Sequence, residues 1–193
     1  RLGALPREAL SNRLLISNGP KGPIQGGESA VTDMVLLEDG WVYGSTKATW
    51  GAKNCHIFRT DGEKVEHMLN LTSVFQGQTA ISDLVVGKGN TLVGCTSTYD
   101  DVFDGTGHSY EGGHLFSFDP ATMRTEDLGI IEPGQGINCI AIDSVRGIIY
   151  GVTYPSGRLF SFDLKTRTAR DFGEVMSPWR VKDFGRVSWR GVP

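Results

Sequence analysis

The sequence predicts an all-β protein made of three consecutive units, each a small sheet of four antiparallel strands. One block recurs three times, as AVTDMVLLEDGWVYGST from Ala30, AISDLVVGKGNTLVGCT from Ala80 and INCIAIDSVRGIIYGVT from Ile137. A second pattern follows each block: HIFRTDG from His56, HLFSFDP from His114 and RLFSFDL from Arg158. Self-similarity of this kind marks one supersecondary unit repeated along the chain. Thr46, Thr96 and Thr153 set the period at 50 and then 57 residues, with no gap needed inside a block.

Each element follows from local pattern. Strand A is the DMVLL, DLVVG or IAID run, and strand B is WVYGST, LVGCT or IIYGVT. Strand C is HIF, HLFSFD or RLFSFD, and its alternation sends Leu115, Ser117 and Asp119 one way and Phe116, Phe118 and Pro120 the other, as a half-buried strand requires. Strand D is KVEHMLNL, RTEDLGII or TARDFGEV. The joints carry turn chemistry: Glu38-Asp39-Gly40, Gly87-Lys88-Gly89-Asn90 and Ser144-Val145-Arg146-Gly147 between A and B, and Asp61-Gly62, Asp119-Pro120 and Asp163-Leu164-Lys165 between C and D. Glycine is abundant, 26 residues in 193, which suits many tight turns.

The Tyr-Gly-x-Thr of Tyr43 to Thr46 and Tyr150 to Thr153, the Val-Gly-Cys-Thr of Val93 to Thr96, and the Leu-Phe-x-Phe-Asp of Leu115 to Asp119 and Leu159 to Asp163 recur at blade-like spacing. In this the chain resembles the β-propeller superfamily, in the loose sense shared by kelch-like and WD-repeat-like blades, over roughly residues 25 to 175. No Trp-Asp dipeptide or kelch Gly-Gly pair stands in the strand positions, so the resemblance reaches the architecture and no particular family.

A closed propeller typically has four to eight blades. Three repeats predict an incomplete ring, closed by further blades or by another copy of the chain. The expected organisation is an N-terminal arm over 1–24, blades over 25–74, 75–132 and 133–176, and the start of a further blade over 177–193, where GRVSWRGVP reads as an innermost strand. In the arm, LPREALSNRLL from Leu5 reads as a short helix, with Arg13 to Ser17 an alternative ring-closing outer strand. An open stack exposes two apolar faces, so self-association is expected.

Composition bounds the partners. The chain is 39% hydrophobic and 21% charged with a net charge of −3, a globular balance that argues against a nucleic-acid or anionic-membrane surface. Its apolar runs are too short for a transmembrane helix. Cys55, Cys95 and Cys139 are odd in number and lack CxxC spacing, against a structural zinc site or a full disulfide framework. Cys95 and Cys139 fall in strands and read as small core residues. The compartment is open, with an extracellular or periplasmic setting favoured if the protein acts on carbohydrate.

Propeller loops between D and the next A, and between B and C, emerge on one face around the central channel. The D-to-A junctions place Glu28, Gln78 and Gln135 in equivalent positions, a ring of amide and carboxylate groups suited to a hydroxyl-rich ligand; alternatively they cap exposed backbone. From the strand-B Thr to the first residue of strand C the B-to-C connections span 10, 18 and 5 residues. The longest, STYDDVFDGTGHSYEGG from Ser97, concentrates Tyr99, Asp100, Asp101, Asp104, His108, Tyr110 and Glu111 and is the best site candidate in the chain. Asp100, Asp101 and Asp104 offer oxygen ligands to calcium, although their spacing is not that of an EF-hand; otherwise no cofactor is expected.

His56, His114 and Arg158 share one register at the start of strand C. Together with His108 and Tyr110 they could neutralise a uronate and move a proton, as a polysaccharide lyase does; alternatively they are rim residues satisfied by neighbouring backbone. Trp50, on a loop, is placed to stack on a ligand. Two functions follow. One is a propeller that binds a polar ligand such as a glycan, or a partner protein, at the channel mouth. The other is a lyase or glycoside hydrolase acting through His108, Tyr110 and His114 on the same face.

Overall fold

The computed structural model describes residues 28–48, 54–98 and 110–175. It is all-β, with three four-stranded antiparallel blades. The first holds β1 (Glu28–Leu36), β2 (Val42–Ala48), β3 (His56–Thr60) and β4 (Val65–Asn70). The second holds β5 (Ala80–Val86), β6 (Leu92–Ser97), β7 (His114–Asp119) and β8 (Arg124–Ile130). The third holds β9 (Gly136–Asp143), β10 (Ile148–Tyr154), β11 (Arg158–Asp163) and β12 (Thr168–Glu174). Within each blade every strand pairs with its sequence neighbour, and a single bridge, Lys47 to Ala80, ties β2 to β5. The helix expected near Leu5 and the further strand expected in 177–193 lie outside the described residues.

The repeated motifs acquire a physical meaning. In each blade the glycine of strand B lies beneath a strand-C phenylalanine: Gly44 under Phe58, Gly94 under Phe116 and Gly151 under Phe160, where an added Cβ would meet the ring at 2.3, 2.4 and 2.5 Å. A side chain there would displace the ring, so only glycine fits. Two residues on, the threonine of strand B accepts the N–H that opens strand C: His56 to Thr46 at 2.8 Å, His114 to Thr96 at 2.8 Å, Arg158 to Thr153 at 3.2 Å. Gly-x-Thr therefore packs the sheet and ties the start of strand C to the end of strand B, whatever the length of the loop between.

Blades stack front to back. Tyr43, Ile57 and Met68 from the first blade interdigitate with Leu84, Phe116 and Phe118 from the second. Val93, Cys95, Leu115 and Leu128 on the other side of the second blade pack on Ile137, Ile149, Phe160 and Phe162 of the third. Strand β7 is thus buried on both faces rather than one, because it lies between two blades.

Two expectations are corrected. Ile137 pairs with Thr153 as Ile81 pairs with Thr96 and Val31 with Thr46, so the A-to-B connection of the third blade is one residue longer and the ungapped block alignment is one residue out in strand A. Cys139 is exposed rather than a core residue, while Cys55 and Cys95 are buried. The bulges in β1, β5 and β9 put Cys139 opposite Val152 as Asp83 is opposite Cys95, and Asp33 and Asp83 reach toward the following blade. No helix of the described residues is long and apolar enough to cross a membrane.

Candidate functional site

The face carrying the D-to-A and B-to-C connections is organised by Gln78. Its side chain is fully buried. Oε1 accepts from the Thr96 hydroxyl at 2.8 Å and the Tyr110 hydroxyl at 2.9 Å, and Nε2 donates to the Gly112 carbonyl at 2.9 Å. One amide thereby fastens the link between the first two blades to both ends of the long loop. Burial, only partly offset by the bond to Gln78, pushes the Tyr110 phenol far above its ordinary value. Gln135, in the equivalent position one blade on, is half-buried, and its Oε1 accepts the Ser156 N–H at 2.9 Å. Both amides serve backbone and loop closure; Gln78 presents no surface to a ligand.

The strand-C register is real, and each member is paired within its own blade. His56 Nδ1 lies 2.8 Å from His67 Nε2. His114 Nδ1 lies 3.1 Å from Asp127 Oδ1, and its Nε2 lies 3.1 Å from Glu111 Oε1. Arg158 donates to Asp171. The partners His67, Asp127 and Asp171 stand opposite Phe58, Phe116 and Phe160 on strand D. Burial, with His56 adding to it, makes His67 harder to protonate. The Arg158 guanidinium holds the Asp171 carboxyl below the usual range.

His114 is further held by Phe75, whose ring stacks on it at 4.4 Å between centroids. Of the sequence-predicted proton-transfer groups, Tyr110 and His114 are described, and both are built into the fold. Nothing structural is described for Trp50, Tyr99, Asp100, Asp101, Asp104 or His108, or for the side chain of Glu28.

Several contributors had no signal in the residue pattern. Phe75 sits on a link unlike its counterpart, and Asp127 is an ordinary surface carboxylate until the fold sets it against His114, which Glu111 of the long connection also meets. On the opposite end of the first blade, Arg59 lies 4.2 Å over the Trp41 ring and bonds Glu66 at 2.7 Å. Among the described residues no cluster of three or more His, Cys, Asp or Glu side chains could hold a metal ion.

No protein-family profile matches the chain, and no curated protein does. Solved structures do. An auxiliary nutrient binding protein from Bacteroides thetaiotaomicron is similar with a TM-score of 0.54 and 12% identity, over 79% of this chain and 32% of that one. An oligogalacturonate lyase in complex with manganese gives 0.53 and 12%, over 79% and 38%. A nidogen/laminin complex gives 0.52 and 13%, over 78% and 49%. The likeness is one of fold, to β-propeller-like proteins. The chain spans about a third to a half of the length of these structures.

Proposed function

We propose that the chain is part of a propeller that binds a polar ligand, a glycan foremost, or a partner protein at its loop-bearing face, without catalysing a reaction there. The observation that carries this reading is the commitment of Tyr110 and His114 to the framework. A catalytic base must be free to take a proton within hydrogen-bond reach of its substrate. Tyr110 gives its proton to a buried amide and ionises only far above neutrality, and His114 is engaged on both ring nitrogens and covered by Phe75. Arg158 and Gln135 remain at the surface, with Glu28, Trp50 and Tyr99 as further ligand-facing candidates from the sequence.

The similarity to a nutrient binding protein supports the reading, and the similarity to a lyase defines its competitor. Calcium at Asp100, Asp101 and Asp104 is a separate proposal, tested by calorimetric titration with calcium before and after chelation.

The test is calorimetric titration with a panel of neutral and acidic oligosaccharides, alongside an ultraviolet assay for unsaturated sugar products. Saturable heat without product is expected. Product from an acidic oligosaccharide would overturn the reading in favour of a lyase; the absence of heat across the panel would remove the glycan and leave the partner protein.

A further inference from the structure

The links that pass from one blade to the next are unequal. Residues 71–79 join β4 to β5, whereas residues 131–135 join β8 to β9. The longer link opens with a 3-10 turn, Leu71–Ser73, and its backbone delivers Phe75 into the seam: the Phe75 N–H donates to the Leu71 carbonyl at 2.9 Å. There the ring lies on His114 and, at 6.1 Å and 48°, against Phe116. The shorter link, Ile131-Glu132-Pro133-Gly134-Gln135, has no aromatic residue.

One blade on, Arg158 and Phe160 occupy the registers of His114 and Phe116. A cleft of about 360 Å³ opens over them, lined among others by Ile131, Glu132, Thr153, Arg158, Phe160 and Ala169. We propose that this cleft receives an aromatic side chain carried by a polypeptide partner, in the place that Phe75 fills one seam earlier.

The chemistry fits a ring. Phe160 gives an apolar floor and Ile131 an apolar wall. The planar Arg158 guanidinium stands where the His114 ring stands, and a guanidinium stacks on aromatic faces. Its charge is answered by Asp171, with Glu174 at 4.0 Å. Of the other charged groups along the cleft, Glu132 accepts the Ser156 hydroxyl and the Arg170 guanidinium lies over the Phe172 ring, so both are already engaged, which favours a neutral ring over an ion. The volume lies at the low end for ligand sites, enough for one ring and its attachment.

A rim is already built. The Ser156 hydroxyl donates to Glu132 Oε2 at 2.9 Å, and the Ser156 N–H donates to Gln135, so the short link is fixed against the B-to-C turn. A polypeptide source is chosen because the filled counterpart receives its ring from a backbone. The cleft shares Arg158 and the short link with the loop-bearing face, so the inference rests on the binding reading and names the partner chemistry of one part of that face, and the peptide titration is read independently of the oligosaccharide calorimetry.

The experiment is an amide-resolved NMR titration of the chain with a blocked Gly-Gly-Phe-Gly-Gly peptide, its Leu counterpart and N-acetylphenylalaninamide. Saturable shifts at Ile131, Arg158, Phe160 and Ala169 are expected with the Phe peptide, with the Leu peptide about three- to tenfold weaker. Ala169→Trp, at an exposed position, is expected to fill the cleft and abolish the shifts. Phe75→Ala is expected to open the sister site and add a second set at His114 and Phe116. Equal binding of the Leu peptide, shifts that survive Ala169→Trp, or no shifts with any probe would overturn the proposal; N-acetylphenylalaninamide binding as well as the peptide would overturn the polypeptide source.

Discussion

Asp33 and Asp83 meet at one backbone N–H: that of Leu84, which lies 3.0 Å from Asp33 Oδ2 and 3.0 Å from Asp83 Oδ1. The other oxygen of Asp83 accepts the Ile140 N–H at 2.8 Å. The two carboxylates, one per blade, thus stitch three consecutive innermost strands together.

Burial, with Asp33 adding to it, raises the Asp83 pKa from its ordinary value to about 6. The folded chain therefore holds a proton there that the unfolded chain releases earlier. The associated stabilisation is fully present below about pH 4 and is lost as pH rises through about 6. Thermal melts should fall between pH 5 and pH 7, and Asp33→Asn should flatten that slope by removing the neighbouring charge. A slope unchanged in Asp33→Asn would contradict the pairing.

Exposed turn carboxylates act in the opposite sense. The Thr122 hydroxyl and turn N–H groups hold Asp119 below its ordinary value, and backbone N–H groups do the same for Asp61 and Asp163. Their contribution is lost as pH falls through those lowered values. Stability is accordingly expected to peak at about pH 4 to 5, read as a maximum in melting temperature across a buffer series.

Gly94→Ala should destabilise by about 1–3 kcal/mol, because the new methyl would sit 2.4 Å from the fully buried Phe116 ring and 2.9 Å from Leu84. Gly44→Ala should cost less, since Phe58, though itself buried, belongs to neither inter-blade core cluster and Val31 and Met34 beside it are exposed, so its ring has room to shift. Urea unfolding of the two variants checks the order.

Gln78→Met keeps the volume and orphans the Gly112 carbonyl and the Tyr110 and Thr96 hydroxyls. A loss of about 2–4 kcal/mol is expected, against less than about 1 for Gln135→Met, which gives up one bond at a half-buried site. Equal losses in denaturant unfolding would mean that the two amides do the same work.

Phe172 is 46% exposed, while its register mates Met68 and Leu128 are 9% exposed beneath the following blade. We propose that a further blade or a second copy covers it. Phe172→Asp should lower self-association in analytical ultracentrifugation while leaving the melting temperature of the three blades nearly unchanged. Unchanged association would place the contact elsewhere.

The blades were legible because period-two alternation, repeated three times, fixes strand identity without long-range information. The register of Ile137 was not, because one added residue in a turn leaves no mark on the hydrophobic pattern. His56, His114 and Arg158 were rightly aligned by their place after Gly-x-Thr. Their partners His67, Asp127 and Asp171 depend on the strand-D bulge, which appears in sequence only as Gly129 and Gly173. Gln78 had the residue type of a ligand contact, but burial decides its role, and its buried amide is taken up by Thr96, Tyr110 and Gly112.

The most direct measurement is the melting temperature and the activity of Tyr110→Phe, taken side by side on acidic oligosaccharides. The account predicts a lower melting temperature, unchanged ligand heat and no product from either protein. Turnover by the wild type that disappears in Tyr110→Phe at unchanged stability would contradict it and make this hydroxyl catalytic.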